Sequence, residues 1–67
     1  GYHQRALASA RSVLKVYTKD QAALSIFGAA ACHLKRAGQA QWAFNRLQAA
    51  RRQLLRGICD RKGVKLK

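Results

Sequence analysis

The chain has 67 residues, with 14 Lys plus Arg against 2 Asp plus Glu, for a formal net charge of +12. That length allows one small domain whose stability is marginal unless a disulfide, a metal or a second subunit adds to it, so a homodimer is expected. Hydrophobic residues make up 49% of the chain, too many for a disordered polycation, yet no run approaches the roughly 20 apolar residues of a membrane span.

The stretch GYHQRALASAR lacks the continuous apolar segment of a signal peptide. Proline is absent and the β-branched residues are few and scattered, which predicts an all-α fold. Much of the apolar content is alanine, so the core should be thin and the helices close together.

From His3 to Tyr17 the positions Leu7, Ala10, Val13, Leu14 and Tyr17 share one helical arc, with Ala6 beside them. Arg5, Arg11, Lys15 and Lys19 lie on the other side. The last three follow at i, i+4 and i+8, where like charges repel in an isolated helix and favour an anionic neighbour.

Thr18-Lys19-Asp20-Gln21 has the form of a capping box, with Thr18 as the cap and Asp20 at the positive end of the helix dipole. The second helix is expected over about residues 19–36, burying Ala23, Phe27, Ala30, Ala31 and Leu34, flanked by Leu24 and Ile26. Gly28 to Ala31 permits close helix approach, and Gly38 is the expected C′ residue. A tight reversal at 36–40 then makes helices two and three an antiparallel hairpin.

In the third helix Ala40, Ala43, Phe44, Leu47, Ala50, Leu54 and Ile58 form the apolar arc. The opposite arc holds Gln41, Asn45, Gln48, Arg52 and Arg56, with no carboxylate among them. An ordinary solvated face mixes charge signs; here the missing counter-charge points to a partner that supplies it. The helix should end near Gly57 to Asp60, leaving residues 61–67, with Arg61 and Lys62, as a flexible basic tail. The expected unit is therefore a three-helix domain over 1–60, a helix followed by an antiparallel hairpin, completed as a homodimeric bundle.

Between Ala6 and Phe44 the spacing of Leu24, Phe27, Gly28, Ala40 and Phe44 is similar to that of tetratricopeptide arrays. Thr18 replaces the usual proline, Lys35 the second glycine and Leu47 the small residue, and barely one and a half units are present where stable stacks need about three. The spacing is read as that of a generic helical hairpin.

If the hairpin turns near Gly38, Cys32 lies about 9 Å and Cys59 about 32 Å from the turn at roughly 1.5 Å per residue. A bridge needs Cα atoms within about 7 Å. Free thiols in a reducing compartment, cytoplasmic or nuclear, are thus expected, with a bridge between subunits or a different fold as the alternative.

Cys32, Cys59, His3 and His33 show no metal-ligand spacing, and the two histidines read as ordinary helix residues. Asp20 and Asp60 make no carboxylate pair, the serines have no predicted base and no glycine-rich phosphate loop occurs. No metal, cofactor, small-molecule substrate or catalytic activity is expected. Trp42 lies off the core arc one turn before Arg46, placed to cover the first helix or stack on that arginine, or else to meet a base, sugar or dimer partner. Arg51 sits at the edge of the apolar arc, where its stem packs while its guanidinium reaches water.

The expected function is nucleic-acid binding by counterion release. Its residues are Arg5, Arg11, Lys15, Lys19, Gln41, Asn45, Arg46, Gln48, Arg52, Arg56, Arg61 and Lys62. Cations spread over helix one, helix three and the tail favour backbone and shape recognition over base readout. RNA, double-stranded RNA included, is placed slightly ahead of DNA because no helix-turn-helix pattern is evident. The alternatives are a secreted cationic membrane-active or antimicrobial peptide, against which the alanine-rich arcs and many glutamines speak, and a helical adaptor for an acidic protein.

Overall fold

A computed structural model describes residues 1–67 as four helices and no strands, α1 Tyr2–Val16, α2 Gln21–His33, α3 Ala37–Arg46 and α4 Ala49–Arg61. The chain is all-α, as its composition predicts. The organising element is α2, whose segment QAALSIFGAAACH carries no Lys, Arg, Asp or Glu and is buried on most of its circumference. A helix apolar nearly all round has to be covered on several sides. The other three helices do this: α1 packs on α2 alone, while α3 and α4 pack on α2 and on each other.

Leu7, Ala10 and Leu14 bury the inner face of α1. Val13 and Tyr17, assigned to that arc by periodicity, are exposed instead. The capping assignment also shifts. Asp20, not Thr18, caps α2, its Oδ1 accepting from the Ala23 N–H at 2.9 Å.

At the far end of α2 the N–H groups of Lys35 and Arg36 donate to the carbonyls of Cys32 and Ala31. This is a Schellman closure with Lys35 in the left-handed region, φ 60°. Gly38, expected there, lies in the first turn of α3. Gly28 does have the role its sequence suggests, since a Cβ on it would stand 2.6 Å from a methyl of Leu55 and 3.4 Å from Ala43 Cβ.

The single third helix expected from the sequence is two helices. Leu47 and Gln48 adopt extended backbone, with ψ 151° and 159°, and turn the chain between α3 and α4. Neither residue is a helix breaker; the corner is held from elsewhere. Gln21 Nε2 donates to the Arg46 carbonyl at 3.3 Å, and Gln21 Oε1 accepts from the Gln48 N–H at 2.8 Å. Arg52 donates through Nε to the Leu47 carbonyl at 2.7 Å and through Nη2 to the Asn45 carbonyl at 3.0 Å. The carbonyls left without helical partners by the break are thus satisfied by two side chains.

Turning at 47–48 also rotates the helical phase of α4 relative to α3. Leu55 and Cys59 face inward on α4, while Leu54, placed on the apolar arc of a straight helix, is exposed. Cys59 now lies beside Cys32 with Cα atoms 5.1 Å apart, and the two form a disulfide, leaving no free cysteine. The expectation of free thiols fails because it assumed a straight helix.

Residues 61–67 do not form a loose arm. Gly63, at φ 79°, closes α4 with a second Schellman pair, its N–H donating to Asp60 and that of Val64 to Cys59. Val64 and Leu66 then enter the core. Gln41 holds the end of this segment, accepting from the Lys67 N–H at 2.8 Å and donating to its carbonyl at 3.1 Å. Lys35 Nζ donates to the Lys62 carbonyl. The alternation of apolar and cationic residues over 64–67 has the period of an extended strap with one face inward. In all, 17 apolar residues make the core, and no polar or charged residue is buried in it.

Candidate polyanion interface

The twelve residues assigned to nucleic-acid contact fall into two groups. Arg5, Arg11 and Lys15 project from α1, and Lys19 from the turn after it; all four are exposed. Arg11 and Lys15 border the Leu7, Ala10 and Leu14 face that α2 covers, and Arg5 projects from another side of the helix. Of the chain's two acids, Asp20 is committed to its cap, so local neutralisation of this row is minimal.

The α3–α4 group is largely tied into the protein. Gln41 bonds to Lys67 and, at 2.8 Å, to Asn45 Oδ1. Arg46 donates to the Trp42 carbonyl at 2.9 Å and stacks 4.2 Å from the indole centroid. Arg52 braces the corner, and the Arg56 guanidinium lies 5.0 Å from the Phe44 ring. Gln48 gives its backbone N–H to Gln21, and Lys62 gives its carbonyl to Lys35. Asn45, Arg46, Gln48, Arg52, Arg56 and Arg61 are nevertheless exposed, and only Gln41 and Lys62 are half-buried. Arg51 reaches from α4 to Ser25 Oγ at 3.3 Å.

Where α1 passes α3, a cleft of about 410 Å³ opens, lined by Arg11, Leu14, Lys15, Phe27, Gly38, Gln39 and Trp42. Its floor is apolar and two members of the cationic row stand at its rim. Trp42 is partly exposed, packed edge-on to Phe27 with centroids 5.7 Å apart, and covered on one side by Arg46. The stacking on Arg46 read from the sequence is therefore present. Gln39 Oε1 is buried without a hydrogen-bond partner.

His3 and His33, 30 positions apart, stack with centroids 3.9 Å apart and planes 6° from parallel. Nothing in their spacing announces this contact. Desolvation pushes the His33 pKa below its ordinary 6.5, and the nearby His3 and Lys62 push it in the same direction. No cluster of three or more His, Cys, Asp or Glu side chains able to hold a metal ion is present.

No helix is long and apolar enough to cross a membrane. No protein-family model, curated protein or solved structure matches the chain.

Proposed function

We propose that the chain binds nucleic acid through the phosphate backbone, without sequence selectivity, with RNA slightly ahead of DNA. The observation that carries this reading is the set of exposed cations Arg5, Arg11, Lys15 and Lys19 on and after α1, in a molecule with net charge +12 and almost no internal counter-charge. Counterions condensed on a polyanion are released when such cations replace them, and that release supplies the affinity. The amides and guanidiniums of the α3–α4 group have a second use in bracing the fold, so the α1 row leads and Gln48, Arg56, Arg61 and Lys62 extend it. Contacts of this kind read backbone and shape, which suits duplex RNA.

The homodimer expected on grounds of size loses its main motive, because an intrachain disulfide provides the added stability. The same disulfide removes the premise for a cytoplasmic or nuclear location and favours an oxidising compartment.

Fluorescence anisotropy with duplex RNA and duplex DNA across a salt series tests the reading. Four phosphate contacts give a log–log slope of about −3.5, a loss of about 100-fold in affinity from about 50 mM to about 200 mM salt. Replacing Arg11, Lys15 and Lys19 with alanine should flatten the slope by about 2.5 and weaken all sequences alike. Binding that ignores ionic strength, or a triple variant that binds as the parent does, overturns it.

A further inference from the structure

Helix α1 carries a second, largely apolar stripe, of which only Ala6 packs against the core. Tyr2, Ala6, Ser9, Val13 and Val16 recur at alternating intervals of four and three, the spacing of one helix face, and Tyr17 continues it. Ile26 of α2 joins them, since Ala6, Ser9, Val13 and Ile26 line one shallow depression between the two helices. Tyr2, Val16, Tyr17 and Ile26 are each more than half exposed. Exposing several large apolar side chains along one helix face is unfavourable in water, and a patch of this size often serves as a contact surface.

Charge identifies what covers it. Arg5 borders the stripe at i+3 from Tyr2, Lys19 follows Tyr17 by two positions, and Arg51 reaches Ser25, the neighbour of Ile26. The carboxylate at its edge, Asp20, is turned onto the Ala23 N–H. A second copy would bring another +12 against this one. The exposed side chains of the stripe also offer only on the order of 500 Å², counting its two tyrosines at the usual aromatic size, against the roughly 800 Å² each partner buries in a stable dimer. A bilayer with anionic headgroups meets both features, accepting the apolar face at the acyl boundary and the flanking cations at the phosphates, with tyrosine rings suited to the interface.

We infer that the Tyr2, Val13, Val16, Tyr17 and Ile26 face docks on anionic lipid bilayers, lying on the membrane without crossing it. This surface lies on a different side of α1 from Arg11 and Lys15 and shares only the flanking cations Arg5 and Lys19 with the nucleic-acid reading. The test is co-sedimentation of the oxidised full chain with vesicles of phosphatidylcholine containing about 30% phosphatidylglycerol, and with vesicles of phosphatidylcholine alone.

The expected result is strong preference for the anionic vesicles and at least a tenfold loss of partitioning, roughly, in the double variant Val16→Ser with Tyr17→Ser. Both positions are exposed, so the variant should melt as the parent does and bind RNA unchanged. Equal partitioning of parent and variant, or indifference to anionic lipid, overturns the inference. So does a parent dimer in sedimentation equilibrium that the two substitutions dissolve, which would assign the face to a second copy.

Discussion

Reducing the Cys32–Cys59 bond should remove much of the stability of this molecule. The bridge closes a loop of 27 residues. By the chain-entropy relation, a loop of that size restricts the unfolded chain by about 12 cal/mol/K, or about 3.5 kcal/mol at room temperature. A domain of this size has a total of only about 3 to 10 kcal/mol. Its unfolding entropy is about 140 cal/mol/K, so the loss corresponds to a fall in melting temperature of about 25 °C. Thermal melts followed by circular dichroism, with and without a phosphine reductant, measure this directly. Reduction is cleaner than substitution, because both cysteines are fully buried and any replacement also disturbs packing. Melting temperatures within about 3 °C of each other, far below the shift expected for any such loop closure, would refute the reasoning. So would two thiols open to alkylation in the unreduced protein.

Arg52→Ala should cost about 1 to 2 kcal/mol in urea unfolding, through the two corner carbonyls it leaves without a partner, and Arg52→Lys nearly as much because the fork geometry is lost. In buffer, where both variants stay folded, RNA affinity should change far less than for Arg11→Ala; the opposite ranking would return Arg52 to the interface. Acid should weaken the fold through His33. Its folded pKa lies below the unfolded 6.5, so between those values the unfolded chain binds more protons, and stability falls as pH drops through that window and levels off above it. His3 and Lys62 face this group and act in the same direction. Urea midpoints at about pH 7.5 and about pH 5 should show the loss, and His33→Gln should flatten it; an undiminished slope in that variant would place the effect elsewhere.

Much of the helical content was legible because it depends on local patterning. The inner face of α1 at Leu7, Ala10 and Leu14, the burial of α2 and the close approach at Gly28 all derive from periodicity and residue size. The corner at Leu47–Gln48 was not legible, since neither residue disfavours helix and the groups that stabilise the break include Gln21, distant in sequence. Everything downstream inherited that error: the phase of Leu54 and Leu55, the position of Cys59 and the docking of Val64 and Leu66. In the candidate site, the charge excess could be read from composition. That Gln41, Arg46 and Arg52 turn back onto the backbone could not, because their carbonyl partners become available only through tertiary geometry.

Gln21 sits where two distant events meet. Its amide pins the corner, and the corner brings Cys59 to Cys32. An unbroken helix over residues 37–61 would be a rod about 37 Å long and would carry the two sulfurs apart. By reciprocity, whatever free energy the bridge lends to the bend, the bend returns to the bridge. Each 1.4 kcal/mol of coupling between bend and bridge that is lost with the Gln21 contacts therefore raises the reduction potential of the couple by about 30 mV. A redox titration at residues 32 and 59 is, for this molecule, a gauge of how firmly one glutamine holds a backbone turn.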